Sequence, residues 1–493
     1  MSTRITQGQL ESYLWGAATL LRGTIDAGEY KSFIFPLLFL KRLSDVFDEE
    51  YATALEESDG DNSYAALPEQ HRFQIPEGSH WADLRQTTSN VGRSISQSMR
   101  SIEKANPRLD GVFGDAPWTN KDRLPDATLK ELIESFSQLT LSVVNVPEDE
   151  LGVAYEFLIK RFADDSGHTA AEFYTNRTLV HLMTQILEIE PGDSVYDPTC
   201  GSGGMLLSAA EELRRQGKEH RTLRLYGQER NLTTSAIARM NLFLHGIEDF
   251  DIVRGDTLAN PAFTEGDQLR RFDVVLANPP YSIKAWDRDA WSSDPWGRNE
   301  FGTPPQGRAD YAFWQHILAS MDPKTGRCAI LFPHGVLFRD EELDMRRRIV
   351  ASDLVEAVIG LGPNLFYNSP MESCIVVCCS SKPVDRSGKV LFIDAIGEVT
   401  RERAQSFLTP EHIGRIVSTF RAFEPEPGFA AVEGLESIAE RGTSLSIPIY
   451  VDRSNGRPDH DLESAIAEWR QSAGELRSAA NELLERLDVG AVR

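Results

Sequence analysis

Hydrophobic residues recur at helical spacing through the first third of the chain. The first apolar face is formed by Leu10, Leu14, Ala17, Ala18 and Leu21. Residues three and four apart lie on the same side of an α-helix, so this pattern predicts an amphipathic helix. Similar patterns follow at 38–47, 95–102 and 129–139, whereas a polar stretch with Pro, Gly and Asn at 58–81 predicts a loop. We therefore predict a helical N-terminal domain over residues 1–165.

Between residues 166 and 400 the pattern changes to short apolar runs that alternate with helical segments. Strands are predicted at 194–196, 223–227, 272–277, 327–332, 354–359 and 373–379. Strands that alternate with helices are typical of an α/β domain in which helices cover both faces of a mostly parallel sheet. In such a domain, ligands bind beyond the carboxyl ends of the strands.

The C-terminal part of the chain has two further patterns. Residues 401–457 are mixed and predict an extension of the α/β domain. Residues 458–493 carry apolar side chains spaced alternately by four and three, from Leu462 to Leu487. This is the a/d seam of a heptad pattern, and it predicts a helix that packs against other helices. The seam fits either the protein's own helical domain or the coiled coil of a partner.

The charge balance limits how this chain can bind nucleic acid. It has 493 residues, with 51 Lys and Arg against 75 Asp and Glu, and a formal net charge of −24. Because DNA affinity rests largely on Lys and Arg beside phosphates, an acidic chain is a poor DNA ligand on average. Either its basic residues cluster on one face, or a partner supplies most of the DNA contacts. The acidity also fits a role in solubility alone.

Cysteine usage and hydropathy point to an intracellular protein. The five cysteines are Cys200, Cys328, Cys374, Cys378 and Cys379. The number is odd and no zinc-type CxxC pair recurs, so we expect reduced thiols, a cytoplasmic protein and no metal site. The apolar run 33–40 is far shorter than the roughly 20 residues of a membrane span, and no signal peptide precedes it.

A glycine-rich turn follows the strand predicted at 194–196. Its sequence is Asp197-Pro198-Thr199-Cys200-Gly201-Ser202-Gly203-Gly204, and a helix is predicted after it. Glycines let the backbone approach a ligand closely, and the helix N-terminus offers N–H groups and positive potential. By itself the turn fits a nucleotide-type site or an ordinary tight turn. No Gly-Lys-Ser/Thr follows, so it is not a P-loop.

Two carboxylates follow at the ends of later strands. Glu229 lies just beyond the strand 223–227, where an acid some 20–30 residues after the glycine turn can accept both hydroxyls of a ribose. Asp256 lies in Val253-Arg254-Gly255-Asp256-Thr257. There it can accept a hydrogen bond from an adenine amino group, or simply cap a helix.

The most specific motif is Asn278-Pro279-Pro280-Tyr281, at the end of the strand 272–277. The lone pair of an exocyclic base amine is delocalised into the ring, so the amine is a weak nucleophile. The Asn278 amide oxygen and the Pro279 carbonyl can accept both N–H bonds and draw the nitrogen toward tetrahedral geometry. Two prolines fix the turn that aims these acceptors. Tyr281 offers a face on which an extruded base can stack.

These features, in this order, resemble the amino-methylating group of class I methyltransferases. With Glu172-Phe173-Tyr174-Thr175-Asn176-Arg177 ahead of them, the chain is similar to the modification (M) subunits of bacterial type I restriction–modification systems. Further matches are Arg308-Ala309-Asp310-Tyr311-Ala312-Phe313, Leu331-Phe332-Pro333-His334-Gly335-Val336-Leu337-Phe338, Asn364-Leu365-Phe366-Tyr367 and Ile447-Pro448-Ile449-Tyr450-Val451. The resemblance covers nearly the whole chain. It implies a Rossmann-like methyltransferase domain between a helical N-terminal domain and a C-terminal helical tail.

The resemblance also implies roles for individual residues. Segment 172–177 and Ser202-Gly203-Gly204 would hold the methionine end of S-adenosylmethionine, Glu229 its ribose, and Asp256 would lie by its adenine. Asn278 to Tyr281 would bind the target base, adenine, for methylation at N6. The chain departs from the family at Asn176, where Pro is usual, and at Pro370-Met371-Glu372, which replaces a glycine-containing run.

Partners follow from the same resemblance. In these systems a specificity subunit reads the DNA sequence, two M subunits flank it, and a restriction subunit cleaves. An acidic M chain then needs few DNA contacts of its own, and its heptad-patterned tail has a partner. The sequence shows no nuclease or helicase motif, so cleavage would belong to another subunit.

Two other classes of function stay open on the sequence alone. One is a stand-alone amino-methyltransferase acting on DNA (adenine N6 or cytosine N4), RNA or protein glutamine, because Asn-Pro-Pro-Tyr also occurs in such enzymes. The other is a non-catalytic structural or sensor subunit, against which the intact motif argues. Adenine is preferred over cytosine only because Asn occupies position 278, since both bases present an amine donor. The DNA target sequence is not encoded in any recognisable motif.

Overall fold

Helices form the first part of the computed structural model, which describes residues 5–22, 24–165, 175–365, 372–402, 405–452, 469–474 and 476–478. The helices before the sheet are α1 (Gln7–Thr19), α2 (Lys31–Glu57), α3 (Asn62–Ala65), α4 (Trp81–Gln86), α5 (Val91–Ala105), α6 (Asp126–Phe136) and α7 (Glu148–Asp165). The segment predicted as a loop at 58–81 contains α3 and a short 3-10 turn at Pro68–Gln70.

Helix α2 explains the apolar run at 33–40. Every side chain from Phe33 to Leu40 is buried, because α2 runs through the centre of the helical domain and is contacted on all sides. A helix that is apolar all round belongs either in a protein core or in a membrane. Among the described helices, none combines the length and apolar character needed to cross a membrane.

The second part of the chain is built on one nine-stranded sheet. Its strands are β1 (Ser194–Asp197), β2 (Arg224–Glu229), β3 (Phe250–Arg254), β6 (Val274–Ala277), β7 (Arg327–Pro333), β8 (Val355–Leu361), β9 (Ser373–Cys379), β10 (Lys389–Ala395) and β13 (Ala430–Gly434). Small hairpins lie outside it: β4 (Thr264–Glu265) with β5 (Gln268–Leu269), and β11 (Thr400–Glu402) with β12 (Gln405–Phe407). The order in the sheet is β13-β10-β8-β9-β7-β6-β1-β2-β3. Strands β7, β6, β1, β2 and β3 run parallel, whereas β9 and β13 are antiparallel to their neighbours.

Helices cover both faces of this sheet. They are α8 (Arg177–Ile186), α9 (Gly204–Arg215), α10 (Leu232–Leu244), α11 (Arg288–Ser292), α12 (Asp310–Ser320), α13 (Leu343–Ala351), α14 (Pro410–Ala422) and α15 (Leu435–Glu440). Successive strand residues point to opposite faces: Val274 and Leu276 join the core under α8, α9 and α14, and Val275 and Ala277 join the core under α12 and α13. The expected α/β class, with a mostly parallel sheet, is confirmed.

Three of the nine strands, β3, β10 and β13, were not among the six that the sequence predicted. Strand β10 was missed, and β13 pairs with it at residues beyond 400, where the sequence pattern was mixed. The expected domain boundary at 400 therefore lies between two strands of one sheet, β10 and β13. Strand β13 is at the edge of the sheet, and an edge strand, which needs only one buried face, carries a weaker apolar signal in the sequence.

The helical domain packs directly on α10. Phe243 of α10 stacks on Phe39 and meets Phe73 edge-on, and the Tyr155 hydroxyl donates to the Ile237 carbonyl at 3.4 Å. The opposite side of α10 joins the core beneath the sheet through Leu242. The helical domain is thus one helix away from the glycine-rich turn.

Most of the heptad-patterned tail predicted at 458–493 lies outside the described residues. The described parts, 469–474 and 476–478, are helical. Trp469 and Leu476, two positions of the predicted seam, are exposed there.

Candidate active site

The chemistry-bearing motifs meet at one edge of the sheet. Strands β6, β1, β2 and β3 are parallel neighbours, so their carboxyl ends lie side by side. Asn278 follows β6, the glycine-rich turn follows β1, Glu229 ends β2, and Asp256 follows β3. Each predicted motif therefore occupies the next position along the edge where parallel α/β sheets bind ligands.

A cavity at this edge brings several of the predicted residues together, whereas Glu229 and Asp256 are not among the residues that line it. Its lining includes Thr175, Arg177, Asp197, Thr199, Cys200, Gly201, Ser202, Gly204, Met205 and Asn278. The segment before α8, the turn after β1 and the turn after β6 thus share one concave site. Glu172, Phe173 and Tyr174, also predicted for this site, lie outside the described residues, as do Pro370 and Met371 of the second departure from the family.

Glycine is required by the backbone of the turn. Gly201 and Gly203 have φ angles of 54° and 78°, in the left-handed region that other residues rarely adopt. The Cys200 N–H donates to the Gln228 carbonyl at 3.0 Å, and the Gly203 N–H donates to the Cys200 carbonyl at 2.8 Å. Asn241 of α10 donates to the Ser202 carbonyl at 3.0 Å. The turn is therefore held from both β2 and α10.

Asp197 is a buried carboxyl at the floor of the cavity. Its side chain accepts the Thr199 N–H at 3.0 Å. Burial raises the pKa of Asp197 to about 8, and the nearby charge of Glu229 adds to the effect. A carboxyl with so high a pKa is largely protonated at neutral pH, and a positive charge in the cavity would favour its ionised form.

Glu229 ties the end of β2 to the glycine-rich turn. One carboxylate oxygen accepts the Gly201 N–H at 3.1 Å, and the other accepts the Asn231 N–H at 2.7 Å. Asn231 in turn caps α10 by accepting the Thr234 N–H at 3.0 Å. Backbone bonds therefore fix the position of the Glu229 carboxylate, and each carboxylate oxygen has the capacity to accept two hydrogen bonds.

Asp256 caps the turn at 257–259, which is not a helix. Its Oδ1 accepts the N–H groups of Leu258 and Ala259 at 3.1 and 3.2 Å, and its Oδ2 lies 3.5 Å from Arg230. Asp256 also lines a second, open cavity together with Trp286.

The Asn278 amide is oriented by Thr175. Asn278 Nδ2 donates to Thr175 Oγ1 at 3.0 Å, so the amide oxygen points away from this hydrogen bond. Thr175 Oγ1 accepts this hydrogen bond, and the amide oxygen of Asn278 remains available as an acceptor. Pro279 is buried, and Tyr281 is partly exposed against the core beneath α8.

Asn176, the departure from the family, has a structural explanation. Its Oδ1 caps α8 by accepting the Thr178 N–H at 3.0 Å. Its Nδ2 donates to the carbonyls of Leu365 and Ser406 at 3.2 and 3.0 Å. The Asn side chain joins three segments that a proline ring, which lacks these polar atoms, cannot join.

Arg177 supports the glycine-rich turn with its guanidinium. Its Nη1 donates to the Gly204 carbonyl at 2.8 Å, and the guanidinium pairs with Glu156 of α7. A Cβ at Gly204 would lie 2.7 Å from Nη1, so this contact requires glycine there. Burial lowers the pKa of Arg177 to about 10. Arg177 thereby connects the helical domain to the turn.

Two buried polar groups near the site were not assigned a role from the sequence. Arg298 donates to the carbonyls of Thr257 and Leu258 at 2.8 Å and pairs with Asp294 at 2.6 Å. Asp310 accepts the N–H of Ser282, the residue that follows Tyr281. Asp310 belongs to a segment that carried the family resemblance, but neither its periodicity nor its spacing indicates what it contacts.

Comparison with known proteins identifies two family regions. The family described as N-6 DNA Methylase matches residues 146–459, and the family described as HsdM N-terminal domain matches residues 10–136. The first match spans most of the chain and includes every motif at the sheet edge.

Relatives match nearly end to end. The chain is 30% identical to the type I restriction enzyme MjaIX methylase subunit of Methanocaldococcus jannaschii, over 98% of this chain and 91% of that protein. It is 29% identical to the type I restriction enzyme MpnII methylase subunit of Mycoplasma pneumoniae, over 97% and 96%. A crystal structure of the type I restriction–modification methyltransferase subunit from Streptococcus thermophilus superimposes with a TM-score of 0.79, at 31% identity, and covers 91% of this chain and 100% of that one.

Proposed function

The chain belongs to the N-6 DNA methylase family, as a DNA methyltransferase subunit of a type I restriction–modification system, and we propose that it transfers a methyl group from S-adenosylmethionine to adenine N6. The observation that carries the proposal is the Asn278 amide, oriented by Thr175 on the wall of the cavity formed by the glycine-rich turn. The amine acceptor and the cofactor cradle are parts of one site.

The residues of the cavity fit S-adenosylmethionine. Its α-ammonium and sulfonium groups carry positive charge, and the buried Asp197 carboxyl is a suitable neighbour because a cation favours its ionised form. Gly201 and Gly203 leave room for close approach, and Glu229 is fixed where ribose hydroxyls can donate to it. When bound, the cofactor supplies an electrophilic methyl group.

The protein's own task is to make the target amine nucleophilic. We assign the Asn278 amide oxygen and the Pro279 carbonyl as the acceptors of the two amine N–H bonds. The rigid Pro279-Pro280 turn holds these acceptors in place before the base arrives, which reduces the reorganisation needed in the transition state. Tyr281 provides the surface on which the extruded base stacks.

Thr175 holds the Asn278 amide in place beside the base site. If the amide were rotated by half a turn, Nδ2 would point at the target amine, and two donors would oppose each other. In the structure Nδ2 instead donates to the Thr175 hydroxyl at 3.0 Å, so the amide oxygen is the atom available to the target amine. Segment 172–177 therefore contributes to the base site as well as to the cofactor site.

Recognition of the DNA sequence is assigned to a partner. With a net charge of −24, this chain has little overall attraction for phosphates. We propose a specificity subunit that reads the sequence, a second copy of this chain and a restriction subunit in the complex. In this proposal residues 1–165 and 458–493 form the helical parts that pack with the partners, residues 166–400 carry the chemistry, and residues 401–457 are an extension.

Methyl transfer from labelled S-adenosylmethionine tests the proposal. The chain, with and without its specificity subunit, is incubated with unmodified DNA, RNA or a protein extract, beside the variants Asn278→Ala and Asn62→Ala. Asn62 is a matched control because it lies on the helical domain, far from the sheet edge. We expect label in DNA alone, strong stimulation by the specificity subunit, and loss of transfer only in Asn278→Ala. Label in RNA or protein, or equal transfer by Asn278→Ala, would contradict the proposal.

A further inference from the structure

The chain leaves the Asn278–Tyr281 turn through a strained residue. Ser282 has a φ angle of 50°, in the left-handed region, although it is not glycine. This conformation costs a non-glycine residue on the order of 1 kcal/mol or more, and it persists where surrounding contacts enforce it. The contacts that enforce it at Ser282 also determine how the turn ends.

Asp310 provides those contacts. Its Oδ1 accepts the Ser282 N–H at 2.7 Å, and its Oδ2 accepts the Ser282 hydroxyl at 3.3 Å. Asp310 is the first residue of α12 and is 1% exposed. Because α12 packs tightly against the sheet, this carboxylate is a fixed point relative to β6.

Arg339 balances the charge of this buried carboxylate. Its Nη1 donates to Asp310 Oδ2 at 2.9 Å and lies 3.7 Å from Glu342. The guanidinium lies flat against the backbone at Gly335, where an added Cβ would be 2.4 Å from Nε. The chain Ser282–Asp310–Arg339 thus joins the exit of the turn to the loop after β7.

We propose that Asp310 and Arg339 are positioning residues for the base-binding turn, and that they act by holding Ser282 in its left-handed conformation. The inference rests on the proposed function, because it takes the turn as the site of amine methylation. Neither residue lines the cavity formed by the glycine-rich turn. Loss of the pair should therefore lower turnover without changing the affinity for S-adenosylmethionine.

Three variants of this chain test the inference in complex with the specificity subunit. Asp310→Asn keeps the shape and removes the charge that Arg339 requires. Gly335→Ala retains both charged residues and displaces the Arg339 guanidinium, at a residue whose backbone allows alanine. Glu356→Gln is the matched control, because Glu356 forms a similar part-buried pair with Arg386, 3.0 Å apart, at the amino end of β8, away from the site. Turnover on unmodified DNA, the Kd for S-adenosylmethionine and the Tm are measured for each.

We expect kcat to fall about tenfold or more in Asp310→Asn and Gly335→Ala, since a misplacement of roughly 1 Å can cost about 100-fold. The Kd for S-adenosylmethionine should stay within about twofold of the wild-type value, and Glu356→Gln should turn over as the wild type does. Ser282→Gly in the Asp310→Asn background should restore part of kcat, because glycine adopts a φ of 50° without strain.

The outcomes separate this inference from the proposed function. If the wild type transfers methyl groups and Gly335→Ala has the same kcat, the positioning role is wrong. It is also wrong if the Kd for S-adenosylmethionine weakens as much as kcat falls, or if Ser282→Gly restores nothing. If the wild-type complex methylates no base amine at all, the proposed function itself fails.

Discussion

Asn278 donates a hydrogen bond through its amide nitrogen to the hydroxyl of Thr175, 3.0 Å away. These residues are far apart in the chain: one follows β6, and the other precedes α8. Their contact joins the proposed base acceptor to the segment assigned to the cofactor. It also holds the Asn278 side chain in position before any base enters.

Replacing the Thr175 hydroxyl should impair the chemical step. Thr175→Val keeps the shape and removes the acceptor, whereas Thr175→Ser keeps the hydroxyl. We expect kcat to fall about tenfold in Thr175→Val, because a lost hydrogen bond costs about 1 kcal/mol and the amide then samples the wrong orientation. Single-turnover methylation of unmodified DNA measures this. Similar rates for the Val and Ser variants would show that the hydroxyl does not orient Asn278.

Binding of S-adenosylmethionine should depend on pH through Asp197. The pKa of this buried carboxyl is raised to about 8, so the charged form becomes more abundant as pH rises from 6.5 to 8.5. A cationic ligand prefers the carboxylate, so its affinity should increase over this window, and binding should release a proton from Asp197 at pH 7.

Asp197→Asn supplies the control for that measurement. Calorimetric titration at several pH values gives the Kd for both proteins, and the titration of the ligand itself is common to them. The difference between the two profiles therefore belongs to Asp197. Parallel profiles for the wild type and Asp197→Asn would exclude the carboxyl as the group that responds.

Alanine substitutions at two glycines can separate the effect of backbone strain on stability from the effect of the turn's shape on ligand binding. Gly203→Ala places a side chain at a φ of 78° within the turn, with the new Cβ 3.4 Å from Ala238. Gly217→Ala is matched, because Gly217 also has positive φ, 69°, near the end of α9, with open space around it. Both variants should lose about 1 kcal/mol of stability.

Only Gly203→Ala should weaken S-adenosylmethionine, by about tenfold or more, because that turn approaches the ligand. The Tm and the Kd of the two variants, measured side by side, check this. A Kd that is weakened equally in both variants would mean that general destabilisation, and not the shape of the turn, controls binding.

Removal of the buried Arg298 should destabilise the loop after the Asn278–Tyr281 turn. Arg298 is 2% exposed, pairs with Asp294 and lies between the rings of Trp291 and Trp296. Arg298→Met leaves the Asp294 carboxylate buried without its partner, a change that costs roughly 3–5 kcal/mol in proteins. Thermal unfolding should show a lower Tm, and Asp294→Asn added to Arg298→Met should recover part of it. No recovery in the double variant would show that the carboxylate is not the source of the loss.

The sequence predicted the parts of the site that local pattern encodes. The glycine-rich turn, Glu229 and Asn278 each stand directly after an apolar strand, and parallel strands bring their carboxyl ends to one edge. Local spacing therefore suggests which motifs lie close together. The α/β class follows from the same alternation of strands and helices, and the structure and its relatives confirm it.

Contacts between distant segments could not be predicted in this way. Arg177 lies in the segment that the resemblance assigns to the cofactor, and the contacts of its guanidinium with the Gly204 carbonyl and Glu156 were not predicted. Asp310 was part of a recognised segment, yet its bond to Ser282 depends on how α12 packs against the sheet. Periodicity reports which face of an element is buried, and it does not report which polar atom a buried side chain meets. The strained φ of Ser282 is likewise invisible in the sequence, because serine gives no signal for the left-handed region.

The most direct test of the central claim is the identity of the modified nucleoside. DNA from cells that make this chain with its specificity subunit is digested to nucleosides and analysed by mass spectrometry, beside DNA from cells that make the Asn278→Ala variant. We predict N6-methyladenine at one recurring sequence in the first sample and its absence in the second. N4-methylcytosine in place of N6-methyladenine, or N6-methyladenine at the same level with Asn278→Ala, would contradict the account.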